Sequence, residues 1–153
     1  MAQLRPGVVT GEDYKTLVAA AKAGGYALPA VNITGTNTLN AVLEAAAQAK
    51  SDVIIQLSNG GAQFYAGQGM PDGFQAKVLG AVAAAQHAHL LAEHYGVCVA
   101  MHTDHANKKL MPWVEAMLAE GEKFYEKTGK PLFSSHMLDL SEETIDFNLG
   151  ECA

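Results

Sequence analysis

After one opening helix, the chain alternates a short apolar run of strand character with a longer segment of helical spacing, four times over. The strand-like runs are Tyr26–Val31, Val53–Leu57, the run from Val97 that ends at His102, and Leu132–Leu138. The helical segments are Thr38–Lys50, Gln75–Tyr95, Leu110–Lys127 and a last one capped near Ser141 and running to the end of the sequence. Strands repeated at a spacing of roughly 25 to 45 residues, with a helix between each pair, predict a parallel α/β sheet with right-handed crossovers. The opening helix is predicted to start at a Thr10 hydroxyl cap, with Glu12 and Asp13 in its first turn, and to stop at Gly24 and Gly25. The stretch QFYAGQGMPDGFQ carries Gly, Pro and Asp without periodicity and is predicted to be a loop.

Two architectures satisfy this order: an open doubly wound sheet, or part of a (βα)8 TIM barrel. No GxGxxG follows the first strand and no GxxxxGK[ST] occurs, so the glycines do not choose between them. The strand ends do: Asn32, Ser58 with Asn59, His102 to His105, and His136 with Asp139 are all polar. A barrel gathers such ends around one mouth, whereas an open sheet spreads them along a line. A whole barrel takes about 250 residues, and this sequence has 153. The expectation is therefore an N-terminal helix and four βα units, about half of one barrel domain. Such a half exposes two unpaired strand edges and an apolar inner face.

The sequence is 49% hydrophobic and 17% charged, which suits a packed α/β core and argues against disorder. Its net charge of -6 leaves no basic stripe to follow a phosphate backbone, so no nucleic-acid partner is expected. No apolar run reaches bilayer length, and the opening MAQLRPGVV lacks the apolar centre of a signal peptide. The expectation is a cytoplasmic protein without a membrane partner. Cys98 and Cys152 have no paired spacing and are read as small apolar fillers.

Chemistry concentrates in HTDH, residues 102–105. An imidazole is a good zinc ligand, and a neighbouring carboxylate can orient it or move protons. His102 and His105 lie three apart on a strand entering a loop, so they need not face one metal together. Asp104 suits a general acid and base, and Asp139 can approach from the next strand end. Taken alone, this cluster leaves metal chemistry and structural hydrogen bonding both open. Ser58, with Gly60 and Gly61, equally fits an anion contact or a plain turn. His87, His89 and His94 read as a polar helix face, Trp113 as packing, and Met101, Met111, Met117 and Met137 as core. Lys108 and Lys109 read as solvated.

Five segments together carry a specific resemblance: PAVN at Pro29–Asn32, SNGGAQFYAG at Ser58–Gly67, AEHYG at Ala92–Gly96, HTDHANKKLMPW at His102–Trp113 and GKPLFSSHMLDLSEET at Gly129–Thr144. In order, and over essentially the whole chain, they resemble class II fructose-bisphosphate aldolases. The resemblance implies a zinc-dependent (βα)8 barrel, usually homodimeric, that reversibly cleaves fructose 1,6-bisphosphate, a phosphorylated ketose, into dihydroxyacetone phosphate and glyceraldehyde 3-phosphate. It implies that His105 is the first ligand of the catalytic zinc and that Asp104 is the acid/base at the C4 oxygen. Asp139 would belong to a second divalent-metal position, Ser58 and Asn32 would contact substrate, and His102 would be a supporting residue. Ala106 departs from a position that is often cysteine in the family. Two further zinc-binding histidines and the main phosphate loops of the family lie past the point where this sequence stops. The resemblance thus implies that residues 1–153 are the N-terminal half of a single barrel domain whose C-terminal half is absent, and the chain alone is expected to have little or no activity. Two alternatives stand beside this reading: an aldolase for another ketose bisphosphate such as tagatose 1,6-bisphosphate, and a non-catalytic half barrel that binds or assembles through its edges.

Overall fold

The computed structural model describes residues 4–152. Five parallel strands form its sheet: β1 (Gly7–Val8), β2 (Ala30–Asn32), β3 (Val53–Ser58), β4 (Cys98–Ala106) and β5 (Ser135–Leu138). The order is β1-β4-β3-β2, with β5 also on β4. β4 takes β3 along one side and two short strands in tandem along the other. β1 pairs with Cys98 and Val99, and β5 with the stretch from His102 to Ala106. Ser134 joins the two: its hydroxyl donates to Val9 O at 2.6 Å and accepts from Met101 N–H at 2.8 Å.

Six helices surround the sheet: α1 (Gly11–Gly24), α2 (Thr36–Ala49), α3 (Asn59–Ala66), α4 (Gly73–Tyr95), α5 (Met111–Thr128) and α6 (Ile145–Glu151). Side chains alternate across a strand, so Val53, Ile55, Leu57, Val99 and Met101 face the helices, where they join Leu39, Leu43, Trp113 and Met117 in the main core. The opposite face carries Ile54, Cys98 and Ala100 at its lower end, packed on Val9, Leu17 and Leu28. Alanines line the buried side of α4 and let its neighbours approach closely.

The α/β alternation is as the sequence predicts, with several local differences. The residues after Ser58 and the first four of the predicted loop, Gln63–Ala66, form α3, started by Ser58 Oγ, which accepts the Gly61 N–H at 3.1 Å. α3 lies so close to α4 that a Cβ on Gly80 would sit 1.8 Å from Ala62 O. A helix held by backbone contact needs no apolar period, so none was visible. The predicted strand over Tyr26–Val31 shrinks to β2, because Pro29 has no N–H to pair; its carbonyl still accepts from Ile54 N–H at 2.9 Å. Leu132 and Phe133 are core anchors ahead of β5 rather than strand. β4 runs through HTDH instead of ending before it, and β1 was not foreseen.

At the caps, Thr10 holds the N-terminal position of α1 without a side-chain hydrogen bond. Thr144, not Ser141, caps α6, which ends at Glu151 rather than running on; Ala153 lies outside the described residues. Lys108 is not simply solvated. It pairs with Glu143 at 3.1 Å and lies 4.1 Å from the Phe147 ring centroid. The histidines of α4 do not form one polar face either: His89 donates to Leu132 O at 3.1 Å, and His87 pairs with the Tyr65 hydroxyl at 2.8 Å. Cys98 is buried as expected, Cys152 is exposed. Met101 and Met117 are in the core, while Met137 is exposed. Among the described residues no helix is long and apolar enough to cross a membrane.

Candidate active site

The strand register decides which side chains share the mouth. Asn32, Gln56, His102 and Ser135 align in one row across β2, β3, β4 and β5, and Ser58 pairs with Asp104 in the next. With a period of two, these rows lie on the face away from the main core, above Ile54 and Ala100. His102 Nδ1 and Ser135 Oγ are 2.8 Å apart. Asn32 reaches across from β2, its Nδ2 donating to Asp104 Oδ2 at 3.1 Å. Asp104 is buried, at 8% exposure, and a shielded carboxylate needs such a partner.

His105 breaks the alternation. A register shift between Thr103 and Ala106 accompanies a φ of 46° at His105, in the left-handed region, which costs a non-glycine residue about 1 kcal/mol or more. The kink leaves its side chain 61% exposed, with Nε2 3.7 Å from Asp104 Oδ1. Its Nδ1 lies 3.0 Å from Asp139 Oδ2. Asp139 is itself fixed: its Oδ1 accepts the Ser141 hydroxyl at 2.8 Å, and its N–H donates to Ala106 O at 2.8 Å. A chain Ser141–Asp139–His105 thus engages Nδ1 and leaves Nε2 toward Asp104.

The electrostatics follow this geometry. The hydrogen bond that the His105 ring donates to Asp139 raises the His105 pKa above the ordinary histidine value, and the charge of Asp104 adds to it. The same bond lowers Asp139, with Ser141 contributing. Burial lowers His102, partly offset by Asp104. His136 lies on the other side of the sheet. Its Nδ1 pairs with Thr103 Oγ1 at 2.8 Å, and burial lowers its pKa to about 4.

All five residues singled out from the sequence therefore sit at one end of the sheet: Asn32 bonded to Asp104, Ser58 opposite Asp104, and His105 bonded to Asp139. His136 is not among them. Ser135, Ser141 and Gln56 were missed. Gln56 could have been found by counting alternate residues along β3, but Ser135 and Ser141 depend on contacts between segments more than 30 residues apart or on a loop turn. As a metal centre the donor chemistry fits only in part. One imidazole nitrogen is oriented and available, yet among the described residues no group of three His, Cys, Asp or Glu is placed to hold an ion.

Parallel strands that bring a shielded carboxylate, an imidazole and their partners to their C-terminal ends are the arrangement of (βα)8-barrel proteins. The family model for class II fructose-bisphosphate aldolase matches residues 12–153. This chain belongs to the class II fructose-bisphosphate aldolase family. It is 53% identical over 154 residues to the fructose-bisphosphate aldolase class 2 of Escherichia coli strain K12, covering 98% of this chain and 42% of that protein. Identity to the fructose-bisphosphate aldolase of Haemophilus influenzae is 55% over 151 residues, covering 97% and 42%. A crystal structure of fructose-bisphosphate aldolase from Campylobacter jejuni superposes with a TM-score of 0.93 at 50% identity, covering 97% of this chain and 43% of that one. The chain thus spans less than half the length of these relatives, and its strands supply about half of the barrel fold.

Proposed function

We propose that this chain carries the proton-transfer corner of a class II fructose-bisphosphate aldolase, and that the completed barrel reversibly cleaves fructose 1,6-bisphosphate to dihydroxyacetone phosphate and glyceraldehyde 3-phosphate. The observation that carries the reading is Asp104: shielded, gripped by Asn32, and 3.7 Å from the Nε2 of His105. In cleavage its carboxylate takes the proton of the C4 hydroxyl as the C3–C4 bond breaks and C4 becomes the aldehyde carbon; in condensation it returns that proton. Asn32 holds Oδ2, so Oδ1 is the oxygen that receives it. Ser58 Oγ already accepts the Gly61 N–H and keeps its own proton for a phosphate oxygen. The space beside it is open, since a Cβ on Gly60 would meet nothing within 4 Å.

His105, oriented through Nδ1 by Asp139, would hold zinc through Nε2. When bound, a divalent cation polarises the substrate ketone and stabilises charge on its oxygen. The remaining ligands have to come from outside the described residues. Asp139 serves the same centre as the carboxylate behind the histidine, and in this reading would also contribute to a second divalent-metal position. In this reading the complete enzyme is a cytoplasmic homodimer.

The test joins this chain to the part of the Campylobacter jejuni relative that it does not match. The joined protein is expected to cleave fructose 1,6-bisphosphate, to lose activity to a chelator, and to prefer fructose 1,6-bisphosphate over its tagatose epimer at least tenfold in kcat/KM. Chelator-insensitive turnover, or a folded, zinc-loaded protein without turnover, would overturn the proposal. Preference for tagatose 1,6-bisphosphate would move the substrate to the other epimer.

A further inference from the structure

We propose that Lys108 is a positioning residue for the metal-binding histidine: it clasps the turn that follows His105 to the turn that follows Asp139, and so keeps the His105–Asp139 hydrogen bond closed. The inference rests on the reading of His105 as a zinc ligand. The sheet itself holds that bond poorly. β5 pairs with β4 as far as Leu138, and the next backbone tie is Asp139 N–H to Ala106 O at 2.8 Å. His105 sits in the bulge, with φ at 46°. A non-glycine residue stays in that region only where its surroundings fix it. Its side chain is 61% exposed and that of Asp139 32%, so water competes for both ends of the bond.

The residues beyond the bond supply what the sheet does not. The chain leaves His105 through a tight turn, in which Asn107 Oδ1 accepts the Lys109 N–H at 3.1 Å and Asn107 O accepts the Leu110 N–H at 2.8 Å. It leaves Asp139 through a second turn, anchored by the buried Leu140, whose carbonyl accepts the Glu143 N–H at 3.0 Å. These local bonds shape each turn without joining the two. Residues of both turns line a polar cavity of about 160 Å³, so the turns do not pack solidly on each other. Lys108 bridges them: its Nζ lies 3.1 Å from Glu143 Oε2 and 4.1 Å from the centroid of the Phe147 ring. Each attraction is weak where water has access, but the two share one ammonium group and favour the same position of it. Lys108 follows His105 by three residues and Glu143 follows Asp139 by four, so the ion pair brackets the hydrogen bond from outside. A carboxylate held in place fixes the imidazole in one tautomer, with Nδ1–H toward Asp139 and Nε2 bare for a metal.

The tautomer of His105 reads the clasp in the 153-residue chain without metal or substrate. Long-range proton–nitrogen NMR spectra, recorded above the titration range of histidine, separate the Nδ1–H ring from the Nε2–H ring that a free imidazole side chain prefers. The parent chain is expected to hold mainly the Nδ1–H form, and Asp139→Ala to lose it. Lys108→Met and Glu143→Gln are expected to keep the circular dichroism while the ratio of Nδ1–H to Nε2–H falls about threefold or more. Lys108→Arg retains both contacts and is expected to keep the parent ratio. Added to Asp139→Ala, Lys108→Met is expected to change nothing further, because its effect passes through that carboxylate. In the joined protein Lys108→Met is expected to raise the zinc Kd by about threefold to tenfold, and Lys108→Arg to leave it unmoved. A ratio unchanged in both Lys108→Met and Glu143→Gln would overturn the inference, even beside a lowered unfolding midpoint, which marks a structural role alone. So would an Nε2–H ring in the parent chain, a full effect of Lys108→Met in the Asp139→Ala background, or an unmoved zinc Kd. A joined protein that shows these shifts and binds zinc, yet does not cleave fructose 1,6-bisphosphate, would contradict the aldolase reading and leave the clasp standing.

Discussion

Replacing Gly80 with alanine tests how α3, and with it Ser58, is seated. A Cβ at this position would lie 1.8 Å from Ala62 O, 2.7 Å from Ala62 C and 3.1 Å from Ala66 N. These are backbone atoms, so no side chain can swing aside. Relief requires α3 to withdraw by about 1.5 Å, which forfeits much of the dispersion energy along the contact. Overpacking of this kind costs about 1–3 kcal/mol, and the lost α3–α4 contact adds to it. Against this, alanine gains about 1 kcal/mol over glycine in a helix interior. The net expected loss is about 2–3 kcal/mol, or about 5–10 °C in Tm for a chain of this size. Gly121 in α5 is the control, since a Cβ there meets nothing within 4 Å. Gly121→Ala is expected to stabilise by up to about 1 kcal/mol. Urea unfolding followed by circular dichroism reads both. An unfolding midpoint for Gly80→Ala equal to or above that of the parent chain would refute the close-packed account of α3.

His136 should make stability depend on pH. Its pKa is lowered to about 4 by burial, so the folded protein favours the neutral ring. In the unfolded chain the ring protonates near pH 6.5, and between these values the unfolded state binds more protons. The contribution is therefore present above about pH 6.5 and lost as pH falls toward 4, by at most about 3 kcal/mol. Urea unfolding across this range is expected to show a shallower decline in His136→Gln than in the parent chain; identical slopes would contradict the assignment. In the protein joined to the remainder of its relative, Asp139→Asn is expected to weaken zinc binding about 10–100-fold, because it removes the carboxylate that fixes the His105 ring. Calorimetric titration showing unchanged affinity would detach Asp139 from the metal centre.

The main outline was legible because it rests on periodicity. VIIQL alternates toward a core on one side, and α4 spaces its alanines along one face. HTDH was visible as chemistry, since three groups able to bind metal or move protons, His102, Asp104 and His105, stand out against the apolar run before them. What escaped depends on contacts remote in sequence or on backbone shape. α3 is held by the bare Cα of Gly80. The bulge that turns His105 toward the mouth is written in no local pattern, because Ala106 and Thr103 take their partners from β5. Ser141, expected as a helix cap, instead bonds Asp139. The cap went to Thr144, three residues on, where the side chain can reach Phe147 N–H.

Asp104 is proposed to move the proton of the C4 hydroxyl. Two half-reactions separate that step from the rest: cleavage of fructose 1,6-bisphosphate, and exchange of the hydroxymethyl hydrogen of dihydroxyacetone phosphate with solvent deuterium. The C4 oxygen takes part in the first and is absent from the second. In the joined, zinc-loaded protein, Asp104→Ala is expected to slow cleavage about a thousandfold while exchange stays within tenfold of the parent. Cleavage that survives the substitution, or exchange that falls in parallel with it at unchanged zinc content, would contradict the role assigned to Asp104.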